Sequence, residues 1–271
     1  MTRTWRLIRH EPAGGSWNMA VDEALIPSVE DSPVIRLYGW DEWTLSLGRF
    51  QDARGELLPS FLERPGFPVV RRMTGGGSIL HGGELTYSLV LKQDDLGSRD
   101  VKDSFRLLCG FLLRFYAKLG LSAGFAVDGG IPTGQLGQKA PFCYAGKELY
   151  DILVGAAVPA KIGGNAQRRF RKVIFQHGSI PITLNRSALA SIFHPGDLPD
   201  DREIVCLEEL GVSRERGELG NLLAESFIEE MEGNVREDTL CEAETRRAVD
   251  LDERVYRSAA WTFDRTRTQT V

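Results

Sequence analysis

Two arginines, five glycines and a histidine crowd the stretch VVRRMTGGGSILHGGELTYSLVL, from Val69 to Leu91. Arg71 and Arg72 end a β-branched run, Gly75, Gly76 and Gly77 follow, and His81-Gly82-Gly83 makes a second break. Without a Cβ, such a loop brings backbone N–H groups close to a ligand that side chains would otherwise hold away. Three glycines alone fit a plain hairpin with permissive turns. Set between paired arginines and His-Gly-Gly, they read as a binding loop. His81 can position a donor or carry a proton; a hydrogen-bonded structural role fits it equally well. The other chemically suggestive residue is Cys143, near the far end of DGGIPTGQLGQKAPFCYAGK, a glycine- and proline-rich stretch without periodicity. A loop of that length inside a compact domain is usually functional or disordered. Cys143 lies off any apolar stripe, which favours a reactive thiol over a packing residue. A free thiol has a pKa of about 8.5, so only a few per cent is nucleophilic thiolate at neutral pH.

Composition narrows the setting. With 271 residues, 42% hydrophobic and 26% charged, the chain can bury a full core. Its net charge of -5 gives no support to nucleic-acid binding, although Arg168, Arg169, Arg171 and Lys172 can form a local basic patch. The N-terminus lacks a signal-type apolar core, and no run approaches a membrane span. The expectation is a cytoplasmic protein with no membrane association. The four cysteines (Cys109, Cys143, Cys206, Cys241) form no C-x-x-C pair, which argues against a structural zinc site, and no metal is expected. Cys206 and Cys241 read as packing residues, His10 and His194 as surface residues, and His177 stays as open as His81.

Several elements must hold these groups in place. Ser16 can cap a helix from Trp17 to Ile26. Pro33 opens a strand, VIRLYGW, and Trp43, Leu45 and Leu47 mark another that closes at Gly48. Leu85, Tyr87, Leu89 and Leu91 alternate with Thr86, Ser88 and Val90, the period of a half-buried strand. Ser98 to Leu119 carries an apolar stripe of Val101, Phe105, Leu108, Leu112, Phe115 and Leu119, ended by Gly120. Cys109 lies beside that stripe as core filling. LYDILV, the turn GAAVPA, KIGGNAQRRFRK and VIFQHGSIPITL continue with strands and short turns. From Asn185 the character turns helical, with Leu219, Leu222, Leu223 and Phe227 on one helix and Glu244 to Ala260 on another. The pattern implies an α+β fold, a mostly antiparallel mixed sheet with flanking helices. One catalytic domain over residues 1–271 is expected, with a helical C-terminal segment from about 195.

Four segments, SWNMAVDEAL, RRMTGGGSILHGGELTYSLVL, KIGGNAQRR and IFQHGSIPI, together resemble the lipoate branch of the biotin/lipoate protein ligase and acyltransferase superfamily. The resemblance implies that the glycine-rich loop and the Lys-Ile-Gly-Gly segment hold a medium-chain acyl group or its activated form. ATP-dependent lipoate ligases usually carry His-Asp where this chain has His81-Gly82, and commonly an accessory domain, which is not expected here. One octanoyltransferase group places its cysteine directly before the His-Gly of the last segment, where this chain has Gln176. A third group, the Gram-positive-type octanoyltransferases, carries its cysteine upstream, and Cys143 looks like that residue. Lys161 looks like the lysine that this group places beside the thiolate. Two departures are a longer Cys143–Lys161 interval and Gly77, which is more ligase-like. The implied catalytic pair is Cys143 and Lys161. The implied substrate contacts are Arg71, Arg72, Gly75, Gly76, Gly77, His81, Gly163, Gly164 and Gln167. The implied reaction takes octanoyl from octanoyl-acyl carrier protein to a lysine of a lipoyl domain of the glycine-cleavage H protein type, without a cofactor. The alternatives are an ATP-dependent ligase and a non-enzymatic acyl-binding protein.

Overall fold

The structure, a computed structural model, describes residues 4–97, 100–129, 141–143, 148–155, 159–231 and 233–267. Among these, the strands in chain order are β1 (Trp5–Arg9), β2 (Val34–Tyr38), β3 (Thr44–Leu47), β4 (Val69–Arg71), β5 (Ile79–His81) and β6 (Glu84–Lys92). They continue with β7 (Ala123–Phe125), β8 (Ile152–Val154), β9 (Ala160–Lys161), β10 (Gly164–Arg169), β11 (Val173–Pro181) and β12 (Val235–Asp238). The α-helices are α1 (Gly15–Ala24), α2 (Ala53–Glu56), α3 (Pro59–Leu62), α4 (Val101–Lys118), α5 (Arg186–Ile192), α6 (Arg216–Met231), α7 (Glu242–Leu251) and α8 (Ala259–Thr262).

A six-stranded sheet in the order β10-β11-β6-β2-β1-β12 forms the centre. Its β10–β11, β11–β6 and β6–β2 pairings are antiparallel, while β2–β1 and β1–β12 are parallel, so the sheet is mixed. Helices α4 and α6 cover one face, where Tyr87, Leu89 and Leu91 pack with Phe111, Phe115 and Phe227. Helices α1 and α7 cover the other, where Val34, Val90 and Phe175 meet Val21, Ala24 and Leu251. Each such large apolar side chain contributes roughly 1.5–3 kcal/mol on burial. Two three-stranded sheets, β4-β3-β5 and β7-β8-β9, stand beside the main one and carry the loops of interest.

The strand predicted to be half-buried, β6, is buried on both faces up to Lys92. Its alternate residues, Thr86 and Ser88, do not meet water: Ser88 Oγ donates to Asp22 Oδ1 at 2.8 Å, and Thr86 Oγ1 accepts from Trp40 Nε1 at 2.9 Å. A hydroxyl that finds a buried partner has no need of solvent.

Other boundaries move for local reasons. Gly14, not Ser16, occupies the N-cap of α1, with no side-chain cap bond. The long amphipathic helix begins at Val101, where Asp100 caps it by accepting from Asp103 N at 2.8 Å. The C-terminal part expected to be helical contains β12, which pairs with β1 and is pinned by Arg6 to Asp238 at 2.7 Å. The helix expected from Glu244 to Ala260 is broken: α7 ends at Leu251, a π-helical turn spans Asp252–Tyr256, and α8 follows. Cys241 is exposed at the N-cap of α7, not packed, whereas Cys206 is buried. His10 is partly buried and accepts at Nδ1 from Arg36 Nε at 2.8 Å, so it is not a surface residue; His194 is exposed. Most of the Gly129–Gly146 loop and the centre of the GAAVPA turn lie outside the described residues. Among the described residues no helix is long and apolar enough to cross a membrane.

Candidate active site

The glycine loop between β4 and β5 is shaped by its own arginine. Arg72 is buried, and its Nη2 donates to Gly75 O at 2.9 Å and Gly77 O at 2.6 Å. Its Nη1 reaches Ser46 O and Ser46 Oγ, each at 3.2 Å. The guanidinium fork therefore gathers the loop carbonyls inward. Gly76 sits at φ +92, a conformation that disfavours side chains, and a Cβ there would stand 3.0 Å from Arg72 Nη2. Arg71 points elsewhere. Its guanidinium donates to the carbonyls of Thr262 at 2.8 Å, Gly48 at 2.6 Å and Gln51 at 3.0 Å, bracing the loop against α8. Burial, with Arg265 and Arg72 nearby, lowers the Arg71 pKa to about 10, which leaves it cationic at neutral pH.

The cysteine is stitched to the exit of that loop. Cys143 N donates to Ser78 O at 2.8 Å, and Ser78 N to Pro141 O at 2.7 Å. Gln51 clamps the crossing: its Nε2 donates to Pro141 O at 2.8 Å, while its Oε1 accepts from Gly48 N at 2.7 Å and Ser78 Oγ at 3.0 Å. Phe142, 1% exposed, anchors the segment against Phe193 with ring centroids 5.3 Å apart.

Lys161 comes up from β9 behind the cysteine. Its Nζ donates to the backbone oxygen of Cys143 at 2.8 Å and to Asp151 Oδ2 at 2.6 Å. Asp151 Oδ2 also accepts from Glu148 N at 2.7 Å. Burial works against the ammonium, but the Asp151 carboxylate and then Cys143 outweigh it, so Lys161 is held above the ordinary lysine range. The chain then turns at Gly163, where φ is +86 and a Cβ would lie 2.2 Å from Ser179 O. That close approach sets β10 against β11.

A narrow pocket opens between these pieces. Cys143, Arg72, Gly76, His81, Gly164 and His177 line it, with Met19, Trp40 and Ile79 as apolar walls. At Gly76, Asn165 and Ala166 it continues into an open groove that reaches Gly75, Phe105, Tyr150, Asp151 and Gln167. His177 pairs through Nε2 with Thr74 Oγ1 at 2.7 Å, and burial, Arg72 and His81 hold it well below the usual histidine range, hence neutral. His81 stacks on Trp40 with centroids 3.9 Å apart, meets Ser46 Oγ at 2.7 Å through Nε2, and pairs with the Glu84 carboxylate through Nδ1. Gln176 faces away, toward α4, and donates to Cys109 Sγ at 3.3 Å. Burial raises the Cys109 thiol to about 12, which keeps it protonated.

Of the candidates from sequence, Cys143, Arg72, Gly76, His81 and Gly164 line the pocket, Gly75 and Gln167 line the groove, and Lys161 lies beneath Cys143. Gly77 offers its carbonyl to Arg72, Gly163 serves the turn, and Arg71 braces from below. Sequence reasoning passed over Asp151, Gln51, Trp40 and Glu84. Asp151 had a signal: it is the charged residue that interrupts the apolar LYDILV, and a buried charge needs a partner. Gln51 had none.

A narrow, apolar-walled pocket with a thiol at its edge and a buried ammonium behind it has the shape and the chemistry to take an acyl group. The chain belongs to the family of the lipoyl protein ligase A/B catalytic domain, whose model matches residues 15–233. It is 36% identical to octanoyltransferase LipM of Kyrpidia tusciae over a 279-residue alignment that covers 96% of this chain and 99% of that protein. It is 34% identical to octanoyltransferase LipM of Bacillus subtilis, over 70% of this chain and 69% of that one. Among solved structures, a putative lipoate protein ligase from T. acidophilum with bound lipoic acid superposes with a TM-score of 0.77 at 25% identity, covering 96% of this chain and 99% of the other.

Proposed function

We propose that the protein is an octanoyltransferase that works through a thioester on Cys143. The acyl donor is octanoyl-acyl carrier protein, and the acceptor is a lysine of a lipoyl domain of the glycine-cleavage H protein type. The Cys143 thiolate attacks the donor carbonyl, forming its C–S bond as the donor's C–S bond breaks. The departing sulfur takes up the proton that the Cys143 thiol released. The acceptor ε-amine, once neutral, then attacks the acyl-enzyme; the C–N bond forms, the bond to Cys143 breaks, and the amine's proton passes to the sulfur or to solvent. Thiol and thioester are close in energy, so the first exchange needs no nucleotide. Backbone N–H groups of the glycine loop suit the developing oxyanion, at roughly 3 kcal/mol each. A reducing compartment would keep the thiol free, which agrees with the cytoplasmic placement expected from the sequence.

One observation carries the proposal: Lys161, a buried ammonium, donates to the backbone of Cys143, and Cys143 lines the pocket with Gly76 and His177. The test supplies an apo lipoyl domain with two donors, octanoyl-acyl carrier protein without ATP, or free octanoate with Mg-ATP. Octanoylation is expected with the first donor only, with one octanoyl group trapped on Cys143 and none in Cys143→Ala. Modification with the second donor only, insensitive to Cys143→Ala, would establish an ATP-dependent ligase.

A further inference from the structure

Asp151 belongs to the same site, and the argument for its role rests on the acyl-enzyme reading above. Its carboxylate is 5% exposed, lies 2.6 Å from the nitrogen of Lys161, and is joined to the turn by Glu148 N. Lys161 is itself 2% exposed. A buried ammonium needs a counter-ion, because desolvation otherwise drives the proton off. A thiolate at Cys143 can serve as one, but only for part of the cycle. Once the sulfur carries an acyl group it is neutral, and a lysine balanced by the thiolate alone would lose its partner when the acyl-enzyme forms. Asp151 is ionisable, adjacent and untouched by the chemistry.

We infer that Asp151 is a positioning residue, a permanent counter-ion that keeps Lys161 protonated and fixed beneath Cys143 while the thiolate charge is absent. Through the acyl-enzyme, Lys161 thus remains a cation ready to receive the thiolate that the second step expels. Among the described residues, few charged and titratable groups surround Lys161. Cys143 stands in front, Asp151 and Glu148 come from the turn before β8, and the Cys109 thiol lies on the α4 side within electrostatic reach of Asp151. On the segment paired with β9, Glu203 gives its backbone carbonyl to Lys161 N and its carboxylate to Asp200 N. Glu148 is exposed at the groove, and both burial and Asp151 raise its pKa. Among the described residues, Asp151 is the carboxylate within hydrogen-bonding distance of the ammonium.

The test separates this role from the acyltransfer reading. Cys143 is capped with iodoacetamide, which makes the sulfur neutral as in the acyl-enzyme, and the Lys161 side chain is titrated by carbon-13 NMR in otherwise intact protein. In the capped wild type, Lys161 should stay protonated through neutral and mildly alkaline pH. In capped Asp151→Asn its titration should move down by about two units or more, and Asp151→Glu should restore most of the shift. In turnover, the Asp151→Asn to wild-type rate ratio for acyl-enzyme and lipoyl domain should fall about tenfold per pH unit above the new lysine pKa. A purely structural role would lower that ratio equally at every pH.

An unmoved Lys161 titration in Asp151→Asn overturns the inference. A shifted titration in a protein whose Cys143 never accepts octanoate upholds the pairing and removes the acyltransfer reading. Should Asp151→Asn fail to fold, the pair Lys161→Met and Lys161→Met/Asp151→Asn decides. Equal second-step rates uphold an action through Lys161, and a further loss in the double variant overturns it.

Discussion

Two of the buried carboxylate–cation pairs among the described residues are built differently. Asp22 on α1 faces Arg36 on β2 at 2.8 Å, with both side chains essentially without exposure. Asp22 also accepts from Tyr38 OH at 2.9 Å and Ser88 Oγ at 2.8 Å, while Arg36 donates to Asn18 Oδ1 at 2.8 Å and to His10 and stacks over Tyr38. One row across the sheet, Arg36, Ser88, His177 and Ala166, supplies this face. The second pair, Asp151–Lys161, is as short and as buried, but it spends a lysine donor on the backbone of Cys143 and borders an open groove. Distance and burial do not separate a structural pair from one at a reacting group. The remaining partners do: the first pair is held among groups with no part in the proposed reaction, and the second touches the cysteine proposed as its nucleophile.

The cation type sharpens that contrast. A guanidinium cannot shed its proton, whereas a buried lysine can. Asp22→Asn should therefore leave Arg36 charged and uncompensated, at a cost of about 3–5 kcal/mol of stability. Asp151→Asn should cost less, about 1–3 kcal/mol, because Lys161 escapes by becoming neutral. Urea unfolding of the two variants measures both, and the reverse order would break the comparison.

A smaller effect is expected where arginines shape the loop. Arg72→Lys loses the fork that holds Gly75 O and Gly77 O, because an ammonium is a point charge without fixed donor directions. Acylation of Cys143 should slow about tenfold, equal to about 1.4 kcal/mol, with urea stability changed by less than in Arg71→Lys. Rapid-quench mass spectrometry of the octanoyl adduct reads the first quantity. An Arg72→Lys variant that acylates normally would mean that the loop keeps its shape without the fork.

How much of this was legible follows from the range of each signal. The α4 stripe was readable because its spacing is local, and the two glycine breaks were readable because they hold glycine where φ is +92 at Gly76 and +143 at Gly82. Alternation on β6 gave the right strand but the wrong exposure. Thr86 and Ser88 look solvent-facing in sequence, and only the buried Asp22 and Trp40 reveal where they point. The paired arginines read as part of a binding loop; the structure shows both turning donors to backbone carbonyls, Arg71 to segments distant in sequence and Arg72 to its own loop. Asp151 was missed because its meaning lies in Lys161 across the β8–β9 connection, a contact that no local pattern encodes. Cys241 was taken for a packing residue from its neighbour Leu240, while its actual place is set by the start of α7.

Acid tests the first pair from a different side. The Asp22–Arg36 pair lies between two histidines, and both are held neutral. Burial, then the Arg36 charge, lowers His10 from the ordinary 6.5 to about 4. Between those values the unfolded chain binds a proton at His10 and the folded chain does not, so stability rises with pH across this window and falls on acidification from 6.5. Below about 4 both states are protonated there and the contribution levels off. Glu244 acts in a separate window: burial raises it, but Arg6, Ser28 and Cys241 N outweigh burial and bring it to about 2, so its contribution is complete above 4.5 and is lost as pH falls through 2. His10→Gln keeps an acceptor for Arg36 and removes the titration. Relative to wild type it should gain stability as pH falls from 6.5 to 4, while Glu244→Gln should differ in pH dependence only below about 4.5. Urea unfolding at several pH values gives the two differences directly. A His10→Gln difference that stays constant from 6.5 to 4 would show that burial and Arg36 together do not hold His10 neutral, and the first pair would then be less closed than its hydrogen bonds imply.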